Sequence, residues 1–398
     1  MKDKSHTDQF YTDTMLEESE HNIATCDTTA ASPVDTNDPE FLADISRENE
    51  LTNPGRRKRY IDSSEVGRGG MGTVYKVRDN DLNRNVAMKV LPSKTQNSTG
   101  MQRFIAEAQI CGQLEHPSVL PIHDLGINSE GEVFFTMRLV AEHVTIADVI
   151  RDLKSGDLET HKNYSFQERV MILQRVCDAL TYAHERGVIH RDIKPSNVLL
   201  GELGEVYLAD WGISVLQRDS DSDSQKGSEK KHFAIEGTPA YMSPNQLSGT
   251  SGPTIRGDIF SLNALAYEFL SLNHHLENPR CDPAEILNTL QTVKIKSAES
   301  HHHPVQGRVA RSLSRLLKLG LCDENEMKVV TAKEFNQALQ KWLEGRSPVV
   351  CPGTFIQSWL HKMDRAIDRR PVLMPLVLIS ILGLLGLTIL FSFRTLVT

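Results

Sequence analysis

Cysteines and aromatic residues are scarce in this chain, and positive charge is not in excess. Its 398 residues include 6 cysteines and 6% aromatic residues, and 52 Asp and Glu outnumber 44 Lys and Arg. The cysteines are far apart and form no C-x-x-C pair, which argues against a disulfide scaffold or a zinc site and predicts reduced thiols. A net charge of -8 and an isoelectric point near 6.0 lack the concentrated basic character of nucleic-acid-binding proteins. We therefore expect no nucleic-acid partner.

Apolar residues with a regular spacing are missing from the beginning of the chain. Residues 1–59 are rich in Asp, Glu, Ser, Thr and Asn, and no period of 2 or 3.6 is sustained there. Such a segment cannot bury enough apolar surface to offset the entropy lost on ordering, so we expect a disordered acidic arm. No apolar run follows the initial Met-Lys-Asp-Lys, so we expect no secretory signal peptide.

Long apolar runs are absent except for one near the C-terminal end. Residues 372–393 are apolar apart from Ser and Thr, and the run is 22 residues long. At 1.5 Å per residue, a helix of that length spans about 33 Å, enough for a hydrocarbon core of about 30 Å. We predict one transmembrane helix here, after a juxtamembrane linker (344–371) and before a short tail (394–398). A buried C-terminal helix of the preceding domain is the alternative.

Positive charge is concentrated before this run, whereas only Arg394 follows it. The flank richer in Lys and Arg normally stays in the cytosol, so we expect a single-pass membrane protein whose main domain is cytoplasmic. Gly383 and Gly386 are three positions apart, not the four of the small-residue dimer motif, so a homodimer formed through the helix stays open. The basic residues before the run are Lys362, Arg365, Arg369 and Arg370.

From residue 60 onward the pattern becomes that of a folded domain. Short β-rich runs separated by turn signals predict a small antiparallel sheet, which one helix with an apolar stripe interrupts. A mostly helical block then extends to residue 343. We therefore predict an α+β fold of two lobes over residues 60–343, with a small β-rich lobe before a larger helical one. The predicted strands are 60–66, 73–77, 85–91, 119–124 and 133–139, and the predicted helix is 101–114.

A glycine-rich stretch of the form G-x-G-x-x-G-x-V lies between the first two predicted strands. It does not open a helix, which separates it from a dinucleotide-binding fingerprint. Glycines let backbone N–H groups approach phosphate oxygens, because a Cβ would hold the backbone away. The stretch therefore indicates a nucleotide-binding hairpin. Its residues are Gly67, Arg68, Gly69, Gly70, Met71, Gly72 and Val74.

One lysine interrupts the apolar third strand. An unpaired ammonium group inside such a run would be costly, so Lys89 needs an anionic partner. Glu107, on the predicted helix of the small lobe, can supply the carboxylate. The pair would direct Lys89 towards the α- and β-phosphates of ATP.

The segment 190–200, which reads HRDIKPSNVLL, is followed at 209–212 by ADWG. These two stretches, in order after the glycine loop and the strand lysine, closely resemble the protein kinase family. The resemblance implies a bilobal kinase fold and the use of ATP and Mg²⁺. It implies that Asp192 accepts the proton of the attacking hydroxyl, and that Asn197 and Asp210 hold the metal ion.

Further stretches extend the resemblance over residues 60–343 and favour bacterial serine/threonine kinases of the Hanks type, which often carry a C-terminal membrane helix. Lys194 and Thr238 match the serine/threonine signature, which implies Ser and Thr hydroxyls of proteins as substrates, those of the chain itself included. Residues 237–244 resemble the end of an activation segment, and residues 257–262 the buried helix after it. The resemblance also implies residues of an adenine pocket, for which packing in the core is an equally good explanation. They are Val74, Ala87, Met137, Val140 and Leu199.

The alternatives are a pseudokinase that binds nucleotide as a membrane scaffold, and a small-molecule phosphotransferase. Two departures from the family pattern bear on this choice. Asn245 stands where the family has Glu, and Lys328 stands where its Arg partner is expected, so we expect a weaker amide and ammonium contact. Trp211 replaces a Phe, which is a milder change.

The segment between Gly212 and Gly237 carries serines that could regulate activity. Arg191 beside the proposed base could receive a phosphate, and Ser228 is the leading acceptor because it lies beyond an acidic run. A flexible loop with incidental serines is the alternative. The other serines considered are Ser220, Ser222 and Ser224.

Overall fold

The computed structural model describes residues 58–69, 72–91, 98–140, 144–211, 214–216 and 235–346. In its small lobe one antiparallel sheet has the strand order β1-β2-β3-β5-β4, so that β3 lies at the centre. Consecutive strands joined by short turns pair as hairpins, as antiparallel neighbours do. These strands are β1 (Tyr60–Gly69), β2 (Gly72–Asp79), β3 (Arg84–Val90), β4 (Ile122–Ile127) and β5 (Val133–Arg138).

The two faces of this sheet follow from the alternation of side chains along each strand. Val86 packs with Phe134 on one face. Phe135, the next residue of β5, belongs to the cluster on the opposite face, beneath helix α1 (Ser98–Gln113). Lys89 also reaches this helix, which is how a charged residue of the central strand meets an acidic partner.

Helix α1 packs in two different hydrophobic clusters. Phe104 and Ile105 in its first half belong to the small-lobe cluster with the sheet. Ile110 and Cys111 in its second half belong to the main core of the large lobe. The helix therefore joins the two lobes through apolar contacts at both ends.

The large lobe is built around two long buried helices, α4 and α6. Ser165 caps α4 by accepting a hydrogen bond from the backbone of Glu168, and Thr254 caps α6 in the same way from Gly257. These caps satisfy backbone donors that the first turn of a helix leaves unpaired. The helices of this lobe are α2 (Ile146–Ser155), α3 (Leu158–Asn163), α4 (Phe166–Glu185), α5 (Pro244–Leu247), α6 (Ile255–Ser271), α7 (Pro283–Thr292), α8 (Arg311–Gly320) and α9 (Ala332–Leu343).

Very short strands occur in the large lobe, and four of them flank the segments 190–197 and 209–211. The sequence analysis predicted none of them, because two or three residues show no periodicity. They form the sheets β6-β8-β9, β7-β10 and β11-β12. Their bounds are β6 (Val144–Thr145), β7 (Val188–Ile189), β8 (Val198–Leu200), β9 (Val206–Leu208), β10 (Val215–Leu216), β11 (His302–His303) and β12 (Gly307–Arg308), and single 3-10 turns cover Pro195–Asn197, Pro239–Tyr241 and Ala298–Ser300.

The predicted α+β fold of two lobes is confirmed, and most predicted boundaries of the small lobe are shifted by one to three residues. The strand predicted to start at 119 begins at Ile122 instead. Val119 forms a parallel bridge to Leu208, and the N–H of Leu208 donates to the carbonyl of Ser118 at 2.8 Å. The chain leading into β4 is therefore tied to the large lobe before it enters the sheet.

Among the described residues, no helix has the length and apolar character that a membrane span requires. The predicted span 372–393 lies outside those residues, as do residues 1–57 of the predicted arm and most of the predicted linker. The cysteines that the structure describes, Cys111, Cys177, Cys281 and Cys322, are free thiols.

Candidate active site

A cavity of about 500 Å³ lies between the two lobes. Its size is in the range of small-molecule sites, and both lobes contribute to its wall. Most of the residues predicted from the sequence meet there. They are Gly67, Arg68, Gly72, Val74, Lys89, Glu107, Met137, Asp192, Lys194, Leu199 and Asp210.

Four predicted residues that the structure describes are not part of this wall, and one of them is Gly69 at the end of β1. Ala87 is buried in β3 opposite Met137 of β5, and Val140 is half-buried just after β5. Asn197 is buried behind Asp192, which it contacts. Sequence reasoning missed several apolar wall residues, for which the only signal was membership of a strand or helix. These are Cys111, Leu120, Ile122 and Phe135.

The glycine loop is the hairpin between β1 and β2. Gly69 pairs with Gly72 at its tip, and Gly70 and Met71 between them lie outside the described residues. A Cβ on Gly72 would come within 2.5 Å of the carbonyl oxygen of Val90, and its φ of +147° is one that other residues rarely adopt. Glycine is therefore required here by the close approach of β2 to β3 as well as by access to a ligand.

Lys89 and Glu107 form the ion pair that joins β3 to α1. The ammonium nitrogen lies 2.6 and 2.8 Å from the two carboxylate oxygens and 3.7 Å from Oδ1 of Asp210. Burial disfavours the charged ammonium, but the charges of Glu107 and Asp210 outweigh it, so the pKa of Lys89 is raised. The lysine stays positively charged at the inner end of the cavity.

Asp192 is a carboxylate that accepts hydrogen bonds from three neighbouring side chains of the site. Its Oδ1 accepts a hydrogen bond from the Thr238 hydroxyl at 2.7 Å, and its Oδ2 accepts from Lys194 at 2.5 Å and from the Asn197 amide at 3.1 Å. Burial alone would raise the pKa of Asp192, but the hydrogen bond and charge of Lys194 lower it below its ordinary value. The residue is therefore a carboxylate at neutral pH, with Thr238 in direct contact.

The loop that carries Asp192 is held by a buried carboxylate of helix α6. Asp258 accepts hydrogen bonds from the backbone N–H groups of His190 and Arg191 and from the ring of His184, each at 2.8 Å. Arg191 has a φ of +72°, a strained conformation that these bonds hold in place. Sequence reasoning placed 258 in a buried helix but gave it no role, although an acid within an apolar run was a usable signal.

Asn197 and Asp210 are suited to hold a divalent cation. The side-chain N–H₂ of Asn197 donates to the backbone carbonyl of Asp192 at 2.8 Å, which fixes the amide so that its oxygen is free to act as a ligand. The Asp210 side chain is 43% exposed and faces the cavity. An amide and a carboxylate supply the hard oxygen ligands that Mg²⁺ prefers, with nucleotide phosphates completing its shell. The residues present fit the predicted ion.

The end of the activation segment is held differently from the sequence expectation. Among the described residues, no hydrogen bond or ion pair joins Asn245 to Lys328. Instead, the buried carboxylate of Glu324 accepts hydrogen bonds from the hydroxyls of Ser243 and Thr254. A carboxylate still anchors the segment, but it belongs to Glu324, after helix α8, and not to position 245 within the segment.

The sequence is also similar to known kinases. Residues 60–342 match the model of the protein kinase domain. The chain is 29% identical over 328 residues to "Serine/threonine-protein kinase PknD" of Protochlamydia amoebophila, an alignment covering 77% of this chain and 32% of that protein. It is 29% identical over 315 residues to the protein of that name from Chlamydia muridarum (73% and 32%) and 32% identical over 230 residues to that from Chlamydia caviae (54% and 24%).

The chain thus covers about a quarter to a third of the length of these relatives. The family match, in contrast, covers well over half of this chain, and it coincides with the two lobes that form the cavity. The relatives carry serine/threonine kinase names. The chain belongs to the protein kinase family.

Proposed function

We propose that this chain is a serine/threonine kinase that transfers the γ-phosphoryl group of ATP to hydroxyl groups of proteins, itself included, at the cytoplasmic face of a membrane. One observation carries the catalytic part. Asp192, hydrogen-bonded to Thr238 and Lys194, shares a cavity with the Lys89–Glu107 ion pair. A proton acceptor and a fixed cation for phosphate in one cavity are the requirements of this reaction.

In the proposed reaction, the oxygen of a Ser or Thr hydroxyl forms a bond to the γ-phosphorus of ATP. The bond between that phosphorus and the oxygen leading to the β-phosphate breaks, and ADP leaves with the electron pair. The hydroxyl proton passes to Asp192, which is ionised because its pKa is lowered. Lys194, 2.5 Å from Asp192, adds positive charge next to the transferred group.

Asn197 and Asp210 are the residues that would hold Mg²⁺. The ion supplies neutralisation of the phosphate charge when it is bound. Asp210 lies 3.7 Å from the Lys89 ammonium, so this chain already places one positive charge beside the same carboxylate. Both residues follow Asp192 in the sequence; Asn197 is buried, and Asp210 is exposed to the cavity.

Phosphate transfer to a test protein distinguishes the kinase from a pseudokinase. The full chain, purified in detergent, is incubated with Mg²⁺-ATP and dephosphorylated casein, and phosphosites are mapped by mass spectrometry. We expect Ser and Thr phosphorylation by the native chain and a rate lower by about 10²–10⁴-fold in Asp192→Asn, with ATP binding retained. Asp210→Ala should weaken Mg²⁺-ATP binding itself.

A suitable control is Asp157→Asn, because Asp157 is an exposed helix cap that Asn replaces well. This variant should keep the native rate. Equal transfer by the native chain and Asp192→Asn would contradict the catalytic assignment, and no transfer by the native chain would favour the scaffold alternative.

The membrane placement is supported by the composition of residues 372–393 and by the basic residues before them. The full chain should sediment with membranes, and a chain ending at Arg370 should become soluble. Protease added outside intact cells should leave the kinase domain uncut. A chain ending at Arg370 that stays wholly membrane-bound contradicts the span, and crosslinking in membranes tests the homodimer.

A further inference from the structure

Glu236 connects two arginines that belong to different parts of the domain. One carboxylate oxygen lies 2.5 Å from Nη2 of Arg103 on helix α1. The other lies 2.9 Å from Nη2 of Arg191, the residue before the proposed base. Glu236 thus joins the small-lobe helix to the catalytic loop through one side chain.

Both arginines are next to groups of the active site. Arg103 is four residues before Glu107, so the two share a face of α1, and Glu107 holds Lys89. Arg191 precedes Asp192 directly. Thr238, two residues after Glu236, donates to Asp192 at 2.7 Å. A displacement of Glu236 would therefore reach the proposed base and the phosphate-binding lysine together.

The surroundings of Glu236 favour a strong charge interaction with Arg191. The side chains of Glu236 and Arg191 are 24% and 13% exposed, whereas that of Arg103 is 50% exposed. Hydrogen bonds between ionised groups are stronger than neutral ones, and partial burial protects them from screening by salt. From the sequence we expected Arg191 to bind the phosphate of a phosphorylated serine nearby. In the structure Arg191 instead forms an ion pair with the carboxylate of Glu236.

We propose that Glu236 is a positioning residue whose carboxylate binds Arg103 and Arg191 in place of a phosphate group on this segment. It sets the catalytic loop and helix α1 relative to each other, so transfer does not require prior phosphorylation of the segment. This inference rests on the proposed kinase function. It also specifies the regulation of that site, because a kinase of this kind is active as soon as it is folded.

The first test compares Glu236→Gln, Arg103→Gln and the double variant in the casein assay, using the full chain in detergent. Glu236→Gln keeps the shape of the side chain but removes its charge, and we expect kcat to fall about tenfold. Adding Arg103→Gln to Glu236→Gln should cause little further loss, since the pair is already broken. The control is Glu277→Gln, because Glu277 pairs with Lys296 at 2.8 Å on an exposed surface away from the cavity.

A purely structural role would not give this pattern. Melting temperatures of Glu236→Gln and the native chain should agree within about 2 °C. Added NaCl should lower kcat of the native chain more than that of Glu236→Gln, because salt screens the contact of Glu236 with the half-exposed Arg103. Unchanged kcat in Glu236→Gln, or additive losses in the double variant, would overturn the proposal.

The second test removes phosphate. The native chain is treated with phosphatase, shown by mass spectrometry to carry no phosphate, and assayed in its initial rate together with a variant in which Ser220, Ser222, Ser224 and Ser228 are Ala. Both should act within about twofold of the untreated chain. Loss of activity in either would show that the segment needs phosphate and would refute the role of Glu236. If the untreated native chain is itself inactive, the proposed function fails instead.

Discussion

Replacing Asp258 with Asn should weaken the catalytic loop and the large lobe together. Asp258 is fully buried and accepts three hydrogen bonds, two from backbone N–H groups and one from His184. Asn has almost the same shape but only one acceptor oxygen. Its N–H₂ group would face a donor, so the variant changes hydrogen bonding with little change in volume.

The expected loss follows from the number of donors affected. Each buried donor left unpaired costs about 1–3 kcal/mol. The amide keeps most of these hydrogen bonds when its oxygen takes the Oδ2 position, to which His190 and His184 donate, so the backbone N–H of Arg191 loses its acceptor. The free energy of unfolding should therefore fall by about 2 kcal/mol, or about 5 °C in melting temperature for a domain of this size. The variant should also lower kcat, because Arg191 would relax from its strained φ of +72° and Asp192 is the next residue.

Urea denaturation followed by circular dichroism measures the stability, and the casein assay measures kcat. Asp282→Asn is the matched control, since Asp282 also accepts from two backbone N–H groups, at 2.9 and 3.0 Å, but is an exposed helix cap. Asn caps helices as well as Asp does, so the control should change stability by less than about 0.5 kcal/mol.

The pH dependence gives an independent check. Burial would raise the pKa of Asp258, but the hydrogen bond from His184 and the backbone bonds lower it below its ordinary value. The stability supplied by the ionised carboxylate is therefore complete above about pH 4 and is lost as pH falls through the folded-state pKa. The difference between native chain and variant should shrink below about pH 4. A loss under about 1 kcal/mol at pH 7, with kcat unchanged, would refute this account.

Three further perturbations have defined outcomes. Gly72→Ala should lower the unfolding free energy by about 1–3 kcal/mol and raise KM for ATP, because its Cβ meets the carbonyl of Val90 at 2.5 Å; an unchanged KM would contradict this. Glu324→Ala should cost about 3 kcal/mol in urea denaturation by unpairing two hydroxyls, and a neutral result would show that the anchor is dispensable. Lys194→Met should move the acid limb of the kcat/KM profile to higher pH, since the lysine is what lowers the pKa of Asp192; an unmoved limb would contradict that cause.

Local patterns in the sequence were enough to find the chemical groups of the site. An ammonium in an apolar strand required a partner, and the structure brings Glu107 to 2.6 Å from Lys89. The segment 190–200 placed Asp192, Lys194 and Asn197 together, and they are hydrogen-bonded in the structure. Short-range spacing fixes such contacts because they lie within one loop or between neighbouring elements.

Contacts between distant segments were not predictable in this way. Glu324 and Ser243 are 81 positions apart, and neither lies in a periodic pattern that would point to the other. The expected pair of Asn245 and Lys328 was taken from the family pattern, and in this chain a different residue provides the carboxylate. A single sequence shows which residue has changed, but the compensating residue is found only when the fold is known.

The division of helix α1 between two hydrophobic clusters links ligand exchange to catalysis. If the lobes separate to admit a nucleotide, the helix either follows the sheet and uncovers Ile110, or stays with the large lobe and uncovers Phe104. In the first case the contact of Arg103 with Glu236 is stretched, and in the second the bond of Glu107 to Lys89 is. Widening the cleft and keeping both contacts are therefore mutually exclusive, so a nucleotide would leave only while one of the two contacts is broken, and closure of the cleft would restore that contact.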